Sequence, residues 1–157
     1  MHRQYHCLPE ISREVTLKAK KQGIDQLFLS EPLLFSTLLL EGREQQFLEA
    51  EKSNKDLVFF DRGIPDVHAY MNYFQTKYPA VFLEKSKLYT YTSIYLFSPW
   101  KKIYTSDNER YETFEESVRI NEYLVAAYKE LGYAIIEVPF GAVTERADFI
   151  LNSLESE

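Results

Sequence analysis

Residues 57–60 (LVFF) form an unbroken apolar run that stops on Asp61-Arg62-Gly63, with Pro65 close behind. Four apolar residues without polar alternation fit a strand covered on both faces, as in a parallel sheet. Pro65 has no N–H to offer and suits the first turn of a helix. The stretch therefore reads as strand, tight turn and helix, with an acid and a base at the carboxyl end of the strand. In open α/β sheets that end is where ligands bind.

The rest of the chain repeats this alternation. Residues 5–9 read as a short strand and 11–21 as a helix that stops near Gly23. Ser30-Glu31-Pro32 is a helix-start signal, with a Ser able to cap, an acid in the first turn and a Pro. The helix it opens is apolar at Leu33, Leu34, Leu38 and Leu39, and polar across 41–46. Residues 64–78 read as a helix and 89–97, rich in β-branched and aromatic residues, as a strand. Thr113-Phe114-Glu115-Glu116 fits a capping box, and Gly132 sits where a C-terminal cap belongs. Between them Phe114, Val118, Leu124, Tyr128 and Leu131 make one apolar stripe. Residues 134–138 read as a strand stopped by Pro139, and 143–154 as a closing helix. Strands alternating with helices predict an α/β fold with a parallel sheet. With only 5 glycines and 6 prolines and no low-complexity linker, the expectation is a single domain over 1–157.

A formal net charge of -6 excludes generic electrostatic binding to nucleic acid or anionic lipid. An anionic ligand would have to be held by a local group of Arg and Lys. The single cysteine, Cys7, rules out an intrachain disulfide. The first residues lack the apolar core of a secretory signal, and the most apolar stretch, PLLFSTLLL, is too short to span a bilayer. No membrane association and a cytoplasmic location are expected.

Several residues could carry chemistry. Asp61 could hold Mg²⁺ directly or through water, and Arg62 could clamp an anionic group. An internal Asp61–Arg62 ion pair, or Asp61 capping the next helix, would explain the same residues. Glu10 and Arg13 lie at a second strand-to-helix junction and would face the same crevice; a solvated first turn with Glu10 on the helix dipole is the alternative. Residues 100–111 carry basic side chains that could close over phosphates, or form an ordinary loop with a Ser106/Glu109 cap. Arg43, Gln45 and Gln46 read as a solvated helix face. His2, His6 and Cys7 are too few to make a zinc site, and His68 reads as a structural or surface residue. Pro139-Phe140-Gly141 could wrap a flat ring or simply turn the chain.

Taken together, PEISREV, DLVFFDRGIPDVHAY, PWKKIYTSDNERYE and IIEVPFGAVTERADFIL resemble the NadR-like AAA ATPase/kinase domains of the P-loop NTPase superfamily, in order and spacing along nearly the whole chain. The resemblance implies a three-layer, kinase-type parallel sheet flanked by helices. It implies phosphoryl transfer from ATP, with Mg²⁺, to a small-molecule acceptor such as a ribosylnicotinamide-like nucleoside. It places Asp61 at the Walker B-like position, reaching Mg²⁺ through water, and Arg62 toward the phosphates or the acceptor. Glu10 and Arg13 would line the acceptor side, Arg110 would be the lid arginine, and the loop 139–142 would lie near the nucleotide base.

The sequence departs from that family at one point. The family's domain opens with a strand and a Walker A loop, G-x-x-x-x-G-K-[ST], whose backbone N–H groups and Lys cradle the phosphates. None of Gly23, Gly42, Gly63, Gly132 and Gly141 is followed by Lys. The resemblance thus implies an N-terminally shortened domain without its first, central strand. Such a chain is expected to bind no ATP tightly and to be inactive as written. Its exposed strand edges are expected to invite self-association. Three readings stay open: a shortened ATP-using enzyme, a non-catalytic relative serving as an interaction or regulatory module, and a chain completed in trans by a partner strand.

Overall fold

The computed structural model describes residues 4–104 and 112–156. Its backbone divides into two compact units, Met1–Thr90 and Tyr91–Glu157. Among the described residues four strands pair as two separate two-stranded sheets, each of them parallel, so the α/β class and parallel sense match the sequence pattern. All four strands lie partly open to solvent rather than covered on both faces.

In the first unit, β1 (His6–Leu8) pairs with β2 (Val58–Phe60), with Leu8 opposite Phe60. The ladder runs one bond further, from Asp61 N–H to the Leu8 carbonyl at 2.9 Å. Between the strands lie α1 (Ser12–Lys21), the single turn α2 (Leu27–Ser30) and the long α3 (Pro32–Lys52). After β2 come α4 (Ile64–Tyr73) and α5 (Val81–Leu88). The core is built from Leu39 and Leu40 of α3, Ile64, Val67 and Met71 of α4, and Phe82 of α5.

Three local expectations are corrected here. Ser30 does not cap α3, because it is the last residue of α2 and the turn is closed by Glu31 N–H on the Leu27 carbonyl. The helix from Ile64 ends at Tyr73 rather than at 78. Gln75 adopts a left-handed backbone (φ 56) and Thr76 N–H returns to the Met71 carbonyl, a helix-ending turn usually marked by glycine. The strand expected over 89–97 shrinks, because Tyr89 is the cap residue of α5 and donates to Glu44.

The second unit holds β3 (Ile94–Leu96), a 3-10 turn (Lys101–Ile103), α6 (Phe114–Glu130), β4 (Ile135–Glu137) and α7 (Val143–Glu155). β3 pairs with β4, Leu96 opposite Glu137. Thr113 caps α6 as expected, its hydroxyl accepting from Glu116 N–H at 3.1 Å. Thr113→Ala is expected to cost about 1 kcal/mol in a urea melt and Thr113→Ser almost nothing, since serine restores the acceptor. Gly132 closes the helix at φ 90. The buried face of α6 is Ile120, Ala127 and Tyr128, rotated from the expected stripe, and Val118 is exposed.

Candidate functional site

The first unit brings Glu10, Asp61 and Arg62 together and adds Asp66, which the sequence reading left out, and Arg43, which it put on a solvated helix face. Asp61 stands one residue past β2, fixed there by its backbone bond to Leu8. Arg62 follows with a left-handed backbone (φ 78), a conformation that costs a non-glycine residue about 1–2 kcal/mol. Residues held in this way tend to sit at functional turns.

Arg62 does not pair with Asp61. Its Nε lies 3.3 Å from Glu10 Oε2 and its Nη1 3.3 Å from Asp66 Oδ2. Burial works against the charge, but Tyr70, Asp66 and Glu10 together raise the Arg62 pKa and hold it protonated. The internal Asp61–Arg62 ion pair is thereby replaced by a different set of bonds. Glu10 Oε1 accepts from Ser12 N–H at 2.8 Å, at the start of α1, and from Arg43 Nη2 at 3.0 Å. Arg43 Nη1 donates to the Gly63 carbonyl at 3.2 Å. Asp66 Oδ1 accepts from Gly63 N–H at 3.2 Å. Hydrogen bonds and the Arg62–Glu10 ion pair together form a closed ring from the Gly63 carbonyl through Arg43, Glu10, Arg62 and Asp66 back to the Gly63 amide. Two acids and two bases balance within it.

Asp61 is left outside the ring. It is exposed, and no hydrogen bond or ion pair reaches its carboxylate among the described residues. Partial burial, with Glu10 and Asp66 as like charges nearby, raises its pKa against the pull of Arg62 and Arg43. An unpaired carboxylate at a strand end can take a hydrated divalent cation. Mg²⁺ is commonly held by one or two carboxylates plus substrate phosphates rather than by a protein cage. No group of three or more His, Cys, Asp or Glu among the described residues could enclose a metal.

The solvated face expected at Arg43 and Gln46 is overturned. Arg43 is only 5% exposed, and Gln46 is buried and donates to the Pro9 carbonyl at 2.8 Å. Gln45 does face solvent, reaching Glu49. Ser36, Leu39, Leu40, Arg43 and Gln46 are the buried residues of α3, at the i, i+3, i+4 spacing of one helix face. That period was the signal that could have placed Arg43 inside.

Other candidates fall elsewhere. Arg13 is exposed in the first turn of α1. His68 is structural: it is 2% exposed and its Nδ1 lies 3.5 Å from the buried Ser86 hydroxyl. Burial lowers its pKa against the field of Asp66. Below the ordinary value of 6.5 the unfolded chain takes up a proton that native His68 does not. The stability contributed by neutral His68 is therefore present above that pH and lost as pH falls through it. Urea midpoints are expected to drop from pH 7.5 to 5.5, and His68→Gln is expected to flatten that drop.

In the second unit, Phe140 is 56% exposed and stacks on Trp100 with ring centres 4.8 Å apart and planes 13° apart. Glu145 accepts from Ala142 N–H at the start of α7. The Arg146 guanidinium lies over the exposed Phe97 ring. Arg110, Ser106 and Glu109 lie outside the described residues.

No helix among the described residues is long and apolar enough to cross a membrane. No curated protein and no solved structure matches the chain. A family model described as an AAA domain matches residues 1–146. With an acid at the end of a parallel strand and nearly the whole chain covered by that model, the protein belongs to the AAA domain family, a P-loop NTPase-like nucleotide-binding class.

Proposed function

We propose that the chain is a P-loop ATPase or small-molecule kinase-like domain built for phosphoryl transfer from ATP, with Asp61 as its cation-facing acid. The observation that carries this reading is the unpaired Asp61 carboxylate at the end of β2, with Arg62 drawn off it by Glu10 and Asp66. Asp61 would hold the water shell of Mg²⁺, and the ion would supply charge neutralisation for a transferring phosphoryl group. Arg62 and Arg110 would meet phosphates, and Glu10 and Arg13 the acceptor side. Pro139, Phe140 and Gly141 would lie near the nucleotide base. The NadR-like character, and with it a nucleoside acceptor, rests on the sequence resemblance.

The 157 residues contain no G-x-x-x-x-G-K-[ST] loop. By themselves they are expected to bind Mg·ATP weakly, because scattered Arg residues do not replace a nest of N–H donors. The test is calorimetry on this chain and on the same chain carrying a strand and such a loop ahead of His6. Mg·ATP binding only by the second supports the reading. A second chain that folds and binds no nucleotide sinks it.

A non-catalytic interaction module is the second reading. It is favoured by the partly exposed apolar strands and by the exposed Leu29, Leu33 and Leu34 of α2 and α3. That reading expects a stable, monodisperse chain in sedimentation velocity. Open strand edges without a partner predict self-association instead.

A further inference from the structure

We infer that Arg43 is the positioning residue of the Asp61-Arg62-Gly63 turn: by fixing Glu10 and the Gly63 carbonyl together, it keeps Arg62 off Asp61. The inference rests on the proposed role of Asp61 as the cation-facing group and assigns to α3 the job of keeping that group free.

The geometry carries the argument. Arg62 has three carboxylates close by, those of Glu10, Asp61 and Asp66, and it touches only the first and last. Asp61 is adjacent in sequence, so its avoidance needs a cause. One part is the left-handed backbone at Arg62, which re-aims the side chain. The other part is a fixed acceptor. Glu10 lies just past β1; the Ser12 amide holds its Oε1 locally at 2.8 Å, and Arg43 ties the same oxygen to α3 at 3.0 Å while the other oxygen pairs with Arg62. The second arm of the same guanidinium holds the Gly63 carbonyl, the far side of the turn. Only a planar fork joins both points at once.

Arg43 is itself immobilised. It is buried on the face of α3 that carries Leu39 and Leu40, and Gln46 one turn on fixes the Pro9 carbonyl. Its Nε is buried without an acceptor among the described residues. A buried guanidinium that leaves one N–H unused is a poor device for stability alone. It is the expected compromise for a side chain whose two terminal nitrogens must reach two set places.

The test is NMR on the full chain, with Mn²⁺ alone as the probe. In the wild type the Arg62 guanidinium, ion-paired with Glu10 and hydrogen-bonded to Asp66, is expected to be fixed enough for its Nε–Hε group to give its own cross-peak, and Mn²⁺ is expected to broaden the Asp61 and Gly63 amides. In Arg43→Met the Arg62 cross-peak is expected to vanish while core amide shifts and the melting curve report a folded chain. Mn²⁺ broadening at Asp61 is then expected to need about tenfold more metal, the usual scale for losing a supporting residue. A folded Arg43→Met chain with the Arg62 signal unchanged overturns the inference. Should that variant fail to fold, Arg43→Lys is read in its place. Lysine keeps the charge but cannot bridge Glu10 and Gly63, so a weakened Arg62 signal supports the inference and an unchanged one overturns it. If Mn²⁺ never broadens Asp61 in the wild type, the cation role of Asp61 fails, while the Arg62 signal still decides what Arg43 does.

Discussion

Asp61→Asn is expected to raise the stability of the chain at pH 7 and to weaken the cation binding proposed for this position. The carboxyl pKa is raised above the ordinary 3.8, first by burial and then by Glu10 and Asp66, so the native state holds this proton more tightly than the unfolded chain does. Ionising the group therefore costs stability. The cost appears as pH rises through the ordinary carboxylate value and is complete above the native one. Asparagine removes it. The midpoint in urea should exceed that of the wild type at pH 7, and the two should converge below about pH 3.8. In a chain carrying a Walker A loop the same substitution is expected to weaken Mg·ATP binding by about 10–100-fold. A residue whose removal stabilises the fold and disables the site is one kept for function. Loss of stability at pH 7 would instead mean that Asp61 has a structural partner.

Phe82→Ala is expected to be the most damaging single change in the first unit. Phe82 is 2% exposed and packs among Leu39, Leu40, Ile64, Val67 and Met71, with Tyr78 edge-on to its ring. Truncation removes a buried ring and leaves a cavity, at a cost of about 3–5 kcal/mol. Phe82→Leu should cost far less, because it keeps most of the apolar volume. Chemical denaturation followed by far-UV circular dichroism measures both. This core fixes α3 against α4, whose first residue follows Gly63, so Phe82→Ala should also loosen the Arg62 signal that Arg43 maintains. A cost near that of a surface change would mean that α5 does not close the core.

Beside α5, the Lys85 ammonium and the Tyr89 hydroxyl both bind Glu44 Oε1. Hydrogen bonding from Lys85 is the main force holding the Glu44 carboxyl below its usual range; burial opposes it and Tyr89 assists. None of this triad was visible as a unit in the sequence, where Glu44 belongs to a polar segment and Tyr89 reads as the first residue of a strand. Helix α5 was hidden for a similar reason. Its buried residues, Phe82 and Ser86, are one turn apart, and a single apolar residue in such a pair leaves no stripe to read.

The local rules that held are those with a local cause. The run LVFF and the Pro at the first turn of α4 place a strand end and a helix start on either side of Asp61. Thr113 and Gly132 mark the two ends of α6 because a hydroxyl acceptor and a left-handed backbone act within one turn of the chain. The rules that failed needed a non-local fact. Gln75 takes a left-handed turn usually reserved for glycine, so nothing in its identity ends α4 at Tyr73.

By itself, the sequence determined that an acid and an arginine leave the end of an apolar strand together, since the apolar run and Pro65 impose that geometry over a few residues. Only the tertiary structure decided which of them is free. The choice depends on Glu10 and Arg43, which lie 33 residues apart and meet because α3 packs its buried face toward the end of β1. Once Arg43 holds Glu10, Arg62 finds its partners there and at Asp66, and the carboxylate beside it in the chain stays open to a cation.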